Sequence, residues 1–469
     1  MRLRRPLISI ALVLGTAAVA CGGETSERDQ WTVWLTTDAP VPQLVDRGLV
    51  EVIDETGALA CGDCRRQIGL PTDPSAWPIS FGIAAPGPVH PVRVRVRLYR
   101  ASRAGNDGLP QAAATLDLTA VMPTVSGNTD TGLVLRAECL GVASDPATHK
   151  TCAGPERALV DERTLDLGKP DPAVRPGTWP RAMLVPCEGA PEDMACVPGG
   201  FLVLGDAKDV RLTNRPVSSH LEERYVTLSP FAIDRDEVNV GAVRGLVNAG
   251  RVAAAPTMRD PLSSSPYAVC TYLGATDATN DQLPANCVSF ELAAQVCGAL
   301  GKRLPTEAEW EWAAGNLTEE TRFPWGSIGD PCDLADVGLG RGGADLVDPE
   351  STACRYLADR PGRAAGIPPV VNPGDVTGLA IRRLAGGVSE WVADYLSSYL
   401  SPCWKPQEPF LLDPRCDEAE QGLHGIRGSS WLEAPGLVSS VERQAPAPRS
   451  KGYANIGLRC ALSRKGDKP

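Results

Sequence analysis

One capped, tryptophan-bearing helix start constrains this chain more than any other stretch of it. In GKRLPTEAEWEWAA (Gly301 to Ala314), Pro305 blocks any earlier helix, Thr306 is placed to cap a new one, and Glu309 three residues on completes a capping box. Trp310 and Trp312, with Ala308, Ala313 and Ala314, then make a helix face built for packing. The segment therefore reads as a helix entering a core.

Other segments stand around it in a definite order. VPGGFLVLG (Val197 to Gly205) reads as a strand and turn, and FAIDRDEVNVGAVRGLVNAG (Phe231 to Gly250) as a strand and helix. FPWG (Phe323 to Gly326), LAGGVSEWVADY (Leu384 to Tyr395), IRGSSW (Ile426 to Trp431) and IGLRCA (Ile456 to Ala461) follow. Together these resemble the formylglycine-generating enzyme family, also called the sulfatase-modifying factor domain. The resemblance implies a loop-rich α+β domain related to the C-type lectin fold, expected over residues 187–465. Fold alone does not give function, so the site has to be read separately.

The start of the chain reads as an address. Arg2, Arg4 and Arg5 precede the apolar run LISIALVLG and then AVAC, the order of a basic n-region, an h-region and a cleavage site. With Cys21 it resembles a bacterial lipoprotein signal (residues 1–21), too short for a comfortable transmembrane helix, with residues 22–30 as a tether; the alternative is an ordinary secretory signal that happens to meet a cysteine. Gly22 after that cysteine resembles the signal sorting lipoproteins to an outer membrane, so the expected place is the outer membrane or periplasm. Setting Cys21 aside leaves fourteen of the fifteen cysteines, an even number that suits an oxidising compartment. Spacing does not fix their connectivity; pairing near neighbours gives 61–64, 139–152, 187–196, 270–287, 332–354 and 403–416. A net charge of −11 argues against general nucleic-acid binding.

Residues 31–168 show period-two patterns with frequent Pro and Gly, which predicts an all-β, sandwich-like domain. Its clearest strand is VRVRVRLYR, where Val92, Val94, Val96 and Leu98 face a core and Arg93, Arg95 and Arg97 face water. Such an arginine row is either a solvated sheet face or a holder for an anionic polymer. Residues 169–186 carry Pro170, Pro172, Pro176 and Pro180 and read as a stiff linker.

For chemistry, the resemblance implies a pair of active-site cysteines that captures copper and a substrate thiol, since soft thiolates suit Cu(I). An ungapped count from the GSSW turn puts Glu433 and Val438 at those places, so copper is not expected. A further family cysteine is matched by Ala314. Cys297 and Cys460 match the family's structural disulfide. Calcium sites are also implied; Glu390 matches one ligand, but Arg383 stands where an Asn is usual. Asp336, with Asp345 or Asp348, is a second candidate set for calcium. GLGRGG (Gly338 to Gly343) lacks a leading strand and reads as a loop, and the CGDC at Cys61 to Cys64 as a structural bridge. No HExxH or GxSxG is present.

The leading expectation is a cell-envelope lipoprotein, anchored to the membrane through lipid on Cys21, whose domain is a non-catalytic binding or scaffold module with a protein or glycan as its ligand. Trp431, Glu433 and Arg443 are its candidate groove residues, with Trp391 and Trp404 more often core. The alternative is a divergent oxidase or protein-modifying enzyme of the family with replaced active-site residues.

Overall fold

The computed structural model describes residues 29–85, 92–125, 127–153, 155–206, 222–258, 270–338, 354, 372–404, 409–418, 422–444 and 452–463. Cys21 and its signal, residues 22–28, most of the GLGRGG loop, Asp345 and Asp348 lie outside them.

The amino-terminal half is two sheets around one apolar core. In the first, Gln30–Thr37 lies between Ile79–Ala84, antiparallel, and Asn128–Leu135, parallel. The second is antiparallel throughout, in the order Arg65–Gly69, Arg47–Ile53, Arg93–Tyr99, Thr115–Val121. Trp31, Val33, Leu35 and Leu133 of one sheet meet Val94, Val96, Leu98 and Leu116 of the other. The expected apolar face is therefore the core.

The expected wet face is not wet. Arg93 is buried on Glu162, with His149 on the same carboxylate at 2.7 Å; Arg95 pairs with Asp117 at 2.5 Å, and Arg97 shares Glu51 with Arg65. Each guanidinium of the row already has a carboxylate, which leaves no unpaired ladder for an anionic polymer.

Residues 169–186 are not a free spacer. Val174 accepts a hydrogen bond from the Thr36 hydroxyl at 2.8 Å, and the N–H groups of Gly177 and Trp179 donate to Ala39 and Asp38. Trp179 then seats its ring against Phe201 and Phe410 of the carboxy-terminal half, at centroid distances of 5.6 and 4.7 Å. The prolines stiffen a strap that is bound at both ends.

The carboxy-terminal half is α+β and built of short pieces. Phe231–Asp234 lies between Met194–Val197 and Ala461–Ser463, so its beginning and end share one sheet. Gly200–Leu204, Arg224–Leu228 and Phe410–Leu412 form a second sheet, and Ser389–Tyr395 with His424–Arg427, Arg443–Gln444 and Ile456–Gly457 a third. Among the described residues three helices of eight residues or more pack on them, α1 (Val240–Asn248), α2 (Phe290–Ala299) and α3 (Glu307–Ala314), with a single helical turn at Pro331–Leu334. Seven disulfides staple the chain, the six near-neighbour pairs and the long-range Cys297–Cys460 at a Cα separation of 5.6 Å. The two halves meet through Glu223, whose buried carboxylate takes Arg100 and Arg103, both at 3.1 Å, while Arg100 also reaches Glu320. Among the described residues no helix is long and apolar enough to cross a membrane.

Candidate functional site

The site is organised by α3. Thr306 caps it and Glu309 closes the capping box. All eight helical residues are buried, including three glutamates. Burying carboxylates is costly unless they are paired, and each is. Glu309 holds Arg303 at 2.5 Å, Glu307 holds Arg443 at 2.9 Å, and Glu311 holds Arg427 while accepting the Gly205 N–H. The indoles fix the helix sideways: Trp310 Nε1 donates to Glu390 at 2.8 Å, and Trp312 Nε1 to the Pro198 carbonyl at 2.8 Å. Beneath the helix N-terminus, Asp394 accepts the N–H groups of Glu307 and Cys416. Burial pushes its carboxyl up to about 7, with the neighbouring Glu307 adding to the rise.

The turn after His424–Arg427 passes directly over α3. Gly428 has φ of +75°, and a Cβ there would stand 2.6 Å from the Leu384 carbonyl and 3.0 Å from the Trp310 ring. Only glycine fits both the conformation and the space. Beyond it Trp431 is buried beside the Cys270–Cys287 bridge, its Nε1 donating to Ala454 at 3.1 Å. Glu433 is half-buried, accepts hydrogen bonds from the Ser430 hydroxyl and, at 3.3 Å, from Asn455, and so braces its own turn. Val438 is buried among Phe323, Ala335, Val337, Cys354 and Ala385.

The three expected groove residues are thus not gathered on one groove. Arg443 lies under α3 because the Glu307 carboxylate needs a counter-charge, its guanidinium 4.0 Å from the Tyr399 ring. Trp431 fills an apolar cluster, and only Glu433 reaches the surface. Trp391 and Trp404 are core residues.

The carboxylates suggested for calcium sit in two guanidinium networks. Glu390 holds Arg459 at 2.8 Å. Asp336 lies 3.7 Å from Arg383, whose Nε is 3.2 Å from Glu237. Asp375 lies nearby, its carbonyl accepting the Arg383 N–H: one carboxylate oxygen accepts the N–H groups of Ala385 and Gly386, and the other has no hydrogen-bond partner among the described residues. Burial pushes Glu237 and Asp375 each up to about 7 against the pull of nearby arginines. Glu237 was not singled out in the sequence, since its partners Arg383 and Val388 are far along the chain, and neither was Asp375, whose partners are backbone N–H groups that carry no side-chain signal.

Two open cavities flank α3. One, about 680 Å³, is rimmed by Lys302, Arg303, Asp413 and Arg415. Its charges pair with one another or with nearby groups: Lys302 with Asp193 and Asp234, Arg303 with Glu309, and Arg415 with Asp417. The other, about 400 Å³, lies at the seam of the halves and is lined by Arg100, Glu311, Glu320, Arg322, Ser439 and Ser440. There burial pushes Glu320 up to about 7, with Arg100 opposing.

This architecture has counterparts. The family profile described as "Sulfatase-modifying factor enzyme 1-like domain" matches residues 182–464. The chain belongs to that family. It is 27% identical to a formylglycine-generating enzyme of Thermomonospora curvata, over 57% of this chain and 92% of that protein. It is 27% identical to a hercynine oxygenase of Mycolicibacterium smegmatis, over 63% of this chain but only 64% of that protein. An "Inactive C-alpha-formylglycine-generating enzyme 2" of Mus musculus is also 27% identical, over 58% of this chain and 85% of that protein. The solved structure of PvdO from Pseudomonas aeruginosa aligns with a TM-score of 0.42 at 24% identity, covering 61% of this chain and 99% of that one.

Within the family the donor set can be tested against the implied metals. Cu(I) wants thiolates. Val438 offers none, Glu433 is committed to its turn, and every described cysteine is in a disulfide. These residues do not fit copper. In the Arg383 cage a guanidinium stands among the carboxylates, and the cage with Arg383 in it does not fit calcium either.

Proposed function

We propose that this chain is an exported, lipid-anchored envelope protein whose sulfatase-modifying factor domain no longer makes formylglycine and acts as a binding or scaffold module. The observation that carries the reading is the pair of residues at the family's thiolate places. Val438 is packed into an apolar cluster and Glu433 is tied to Ser430, so neither can hold Cu(I) or exchange it with a substrate thiol. The relative named as inactive is one of similar likeness that carries the same word for its own chain. Loops on a disulfide-stapled scaffold, rather than a reactive centre, then present the recognition surface to a protein or glycan. The sandwich-like residues 31–168, strapped on by 169–186, hold that domain away from the membrane anchor at Cys21.

Two experiments test this. Purified, disulfide-intact protein competed against a chromophoric Cu(I) chelator should leave the copper on the chelator, and tight capture would refute the reading. Radiolabelled palmitate should enter the wild type and not Cys21→Ser; equal labelling of both would remove the lipid anchor.

One observation favours a second reading, a divergent modifying enzyme. Glu320, with its carboxyl near 7 in the seam cavity, has the protonation behaviour of a general acid or base. Under that reading Glu320→Gln abolishes a turnover that wild-type protein shows; under ours there is none to abolish.

A further inference from the structure

The loop between Arg47–Ile53 and Arg65–Gly69 carries CGDC at Cys61 to Cys64, outside the family domain at residues 182–464. Of the bridged cysteines only Cys61 is exposed, and Cys64 is half-buried. Cys61–Cys64 spans a sequence separation of 3, whereas each of the other six bridges spans 9 or more.

The loop is held by more than the bridge. Asp54 Oδ1 accepts the N–H groups of Thr56 and Ala58 at 2.8 and 3.0 Å, and the Thr56 hydroxyl at 2.7 Å. The Ala60 N–H donates to Val52, the Val52 N–H to Cys64, and the Cys64 N–H to Cys61. A bridge across so short a turn removes less unfolded-state entropy than the six longer ones, and by the same linkage the fold stabilises that bridge least. An exposed disulfide of this kind is the first to yield to a thiol.

An exchange site also needs a place for its partner. Among the described residues Arg65–Gly69 pairs only with Arg47–Ile53, at one edge of its sheet. Because Val52 donates to the Cys64 carbonyl and Leu70 to the Asp46 carbonyl, the backbone groups of Cys64, Arg66, Ile68 and Leu70 face the ladder. Those of Arg65, Gln67 and Gly69 therefore point outward, on a strand that is exposed except at half-buried Ile68. Such a row takes an extended peptide as an added strand, and it begins beside Cys64. Alternation puts Arg66 on the same side of the strand as Cys64, and among the described residues its guanidinium has no partner. That charge favours a departing thiolate. Asp63, between the cysteines, is exposed to water, which screens it.

We propose that Cys61–Cys64 is a thiol–disulfide exchange site that oxidises a pair of cysteines in an extended segment of a partner protein laid along the Arg65–Gly69 edge. One partner thiolate attacks Cys61 Sγ, the S–S bond breaks, and Cys64 leaves as a thiolate. The second partner thiolate attacks the partner sulfur of that mixed disulfide, and Cys61 leaves. Two electrons pass to the bridge, two thiol protons end on Cys61 and Cys64, and the partner keeps the new disulfide.

The test starts with the purified chain, its bridges closed, equilibrated in glutathione buffers of graded ratio, alkylated and mapped by mass spectrometry. Cys61 and Cys64 should be labelled at ratios that leave the six other bridges intact. Opening together with those bridges, or after them, would overturn the proposal. Single-round exchange is then followed with a synthetic extended dithiol peptide and with dithiothreitol. Gly69→Pro removes one outward N–H at a position where a Cβ meets no atom within 4 Å. It should raise the peptide concentration for half-maximal rate by about fivefold and leave the dithiothreitol rate unchanged. No effect on the peptide, or an equal effect on both, would overturn docking along the edge. Reduced Cys64→Ser, given the oxidised peptide, should trap it as a mixed disulfide through Cys61, and Cys61→Ser should trap about tenfold less. Equal trapping would overturn Cys61 as the point of attack.

Discussion

The two halves solve the same problem, burying arginine and glutamate, in opposite places. In the amino-terminal sandwich the apolar residues lie between the sheets and the ion pairs lie across the outer face of one of them, as with Arg95, whose side chain keeps 21% exposure. In the carboxy-terminal domain the pairs lie at the centre: Arg427, Arg443 and Arg459 have side chains at 0% exposure. Long paired strands satisfy their own backbone and leave side chains to pack. Short strands joined by loops leave many buried backbone groups, and carboxylates such as Asp394, Glu237 and Asp375 accept their N–H groups. Five of the seven disulfides fall in the loop-rich half for the same reason.

The largest expected difference concerns those staples. Cys297–Cys460 closes a sequence separation of 163 residues and Cys61–Cys64 one of 3. Replacing both cysteines with alanine should cost about 5 kcal/mol for the long loop and about 2 kcal/mol for the short one, read by denaturant unfolding. Equal losses would break the contrast. Next come the ion pairs. Arg427→Ala strands Glu311 in the interior and should cost about 3–5 kcal/mol, whereas Arg95→Ala, which leaves Asp117 still accepting the Ser144 N–H, should cost less, about 2 kcal/mol. A loss at Arg95 as large as that at Arg427 would mean that the outer face of the sandwich is as dry as the other core.

The buried acids of the carboxy-terminal half and the exposed aspartates of the amino-terminal half should also respond oppositely to pH. Glu237, Asp375 and Asp394 are pushed up to about 7 by burial, so their folded values exceed the ordinary carboxylate range. Between that range and about 7 the folded state holds more protons than the unfolded one, and stability falls as pH rises through this window. In the amino-terminal half, hydrogen bonds from Thr56, Ser75 and Thr148 hold Asp54, Asp73 and Asp145 below their usual values. Their contribution is present at neutral pH and lost as pH falls through the acid range. Melting temperature should therefore drop from pH 5 to pH 8, and Asp394→Asn should flatten that slope; an unchanged slope would contradict the assignment. The smallest effect is at Glu433, where alanine removes the hydrogen bonds to Ser430 and Asn455 and should cost about 1 kcal/mol.

Much of this was legible in the sequence where signals are local. The α3 start was visible from Pro305, Thr306 and Glu309, and the core side of the arginine strand from the alternation of Val94, Val96 and Leu98. What alternation could not show was where the other face would find carboxylates. Arg93 meets Glu162 and Arg95 meets Asp117 only after distant segments fold over them. The same holds for Arg443, expected at a groove but buried on Glu307, and for Arg383, whose partners Glu237 and Asp336 come from distant segments. One signal was available: three glutamates interleaved with two tryptophans on a short helix leave no solvent face, so each acid must have a buried partner.

The central claim is that the family's copper chemistry is gone from this domain, and turnover tests it most directly. The protein, given copper, dioxygen and a sulfatase-type cysteine peptide, is run beside an authentic formylglycine-generating enzyme and the peptide is weighed by mass spectrometry. With Val438 and Glu433 in the thiolate places and the described cysteines all bridged, the peptide should keep its cysteine while the control converts it. Formylglycine at a rate comparable to the control would contradict the account.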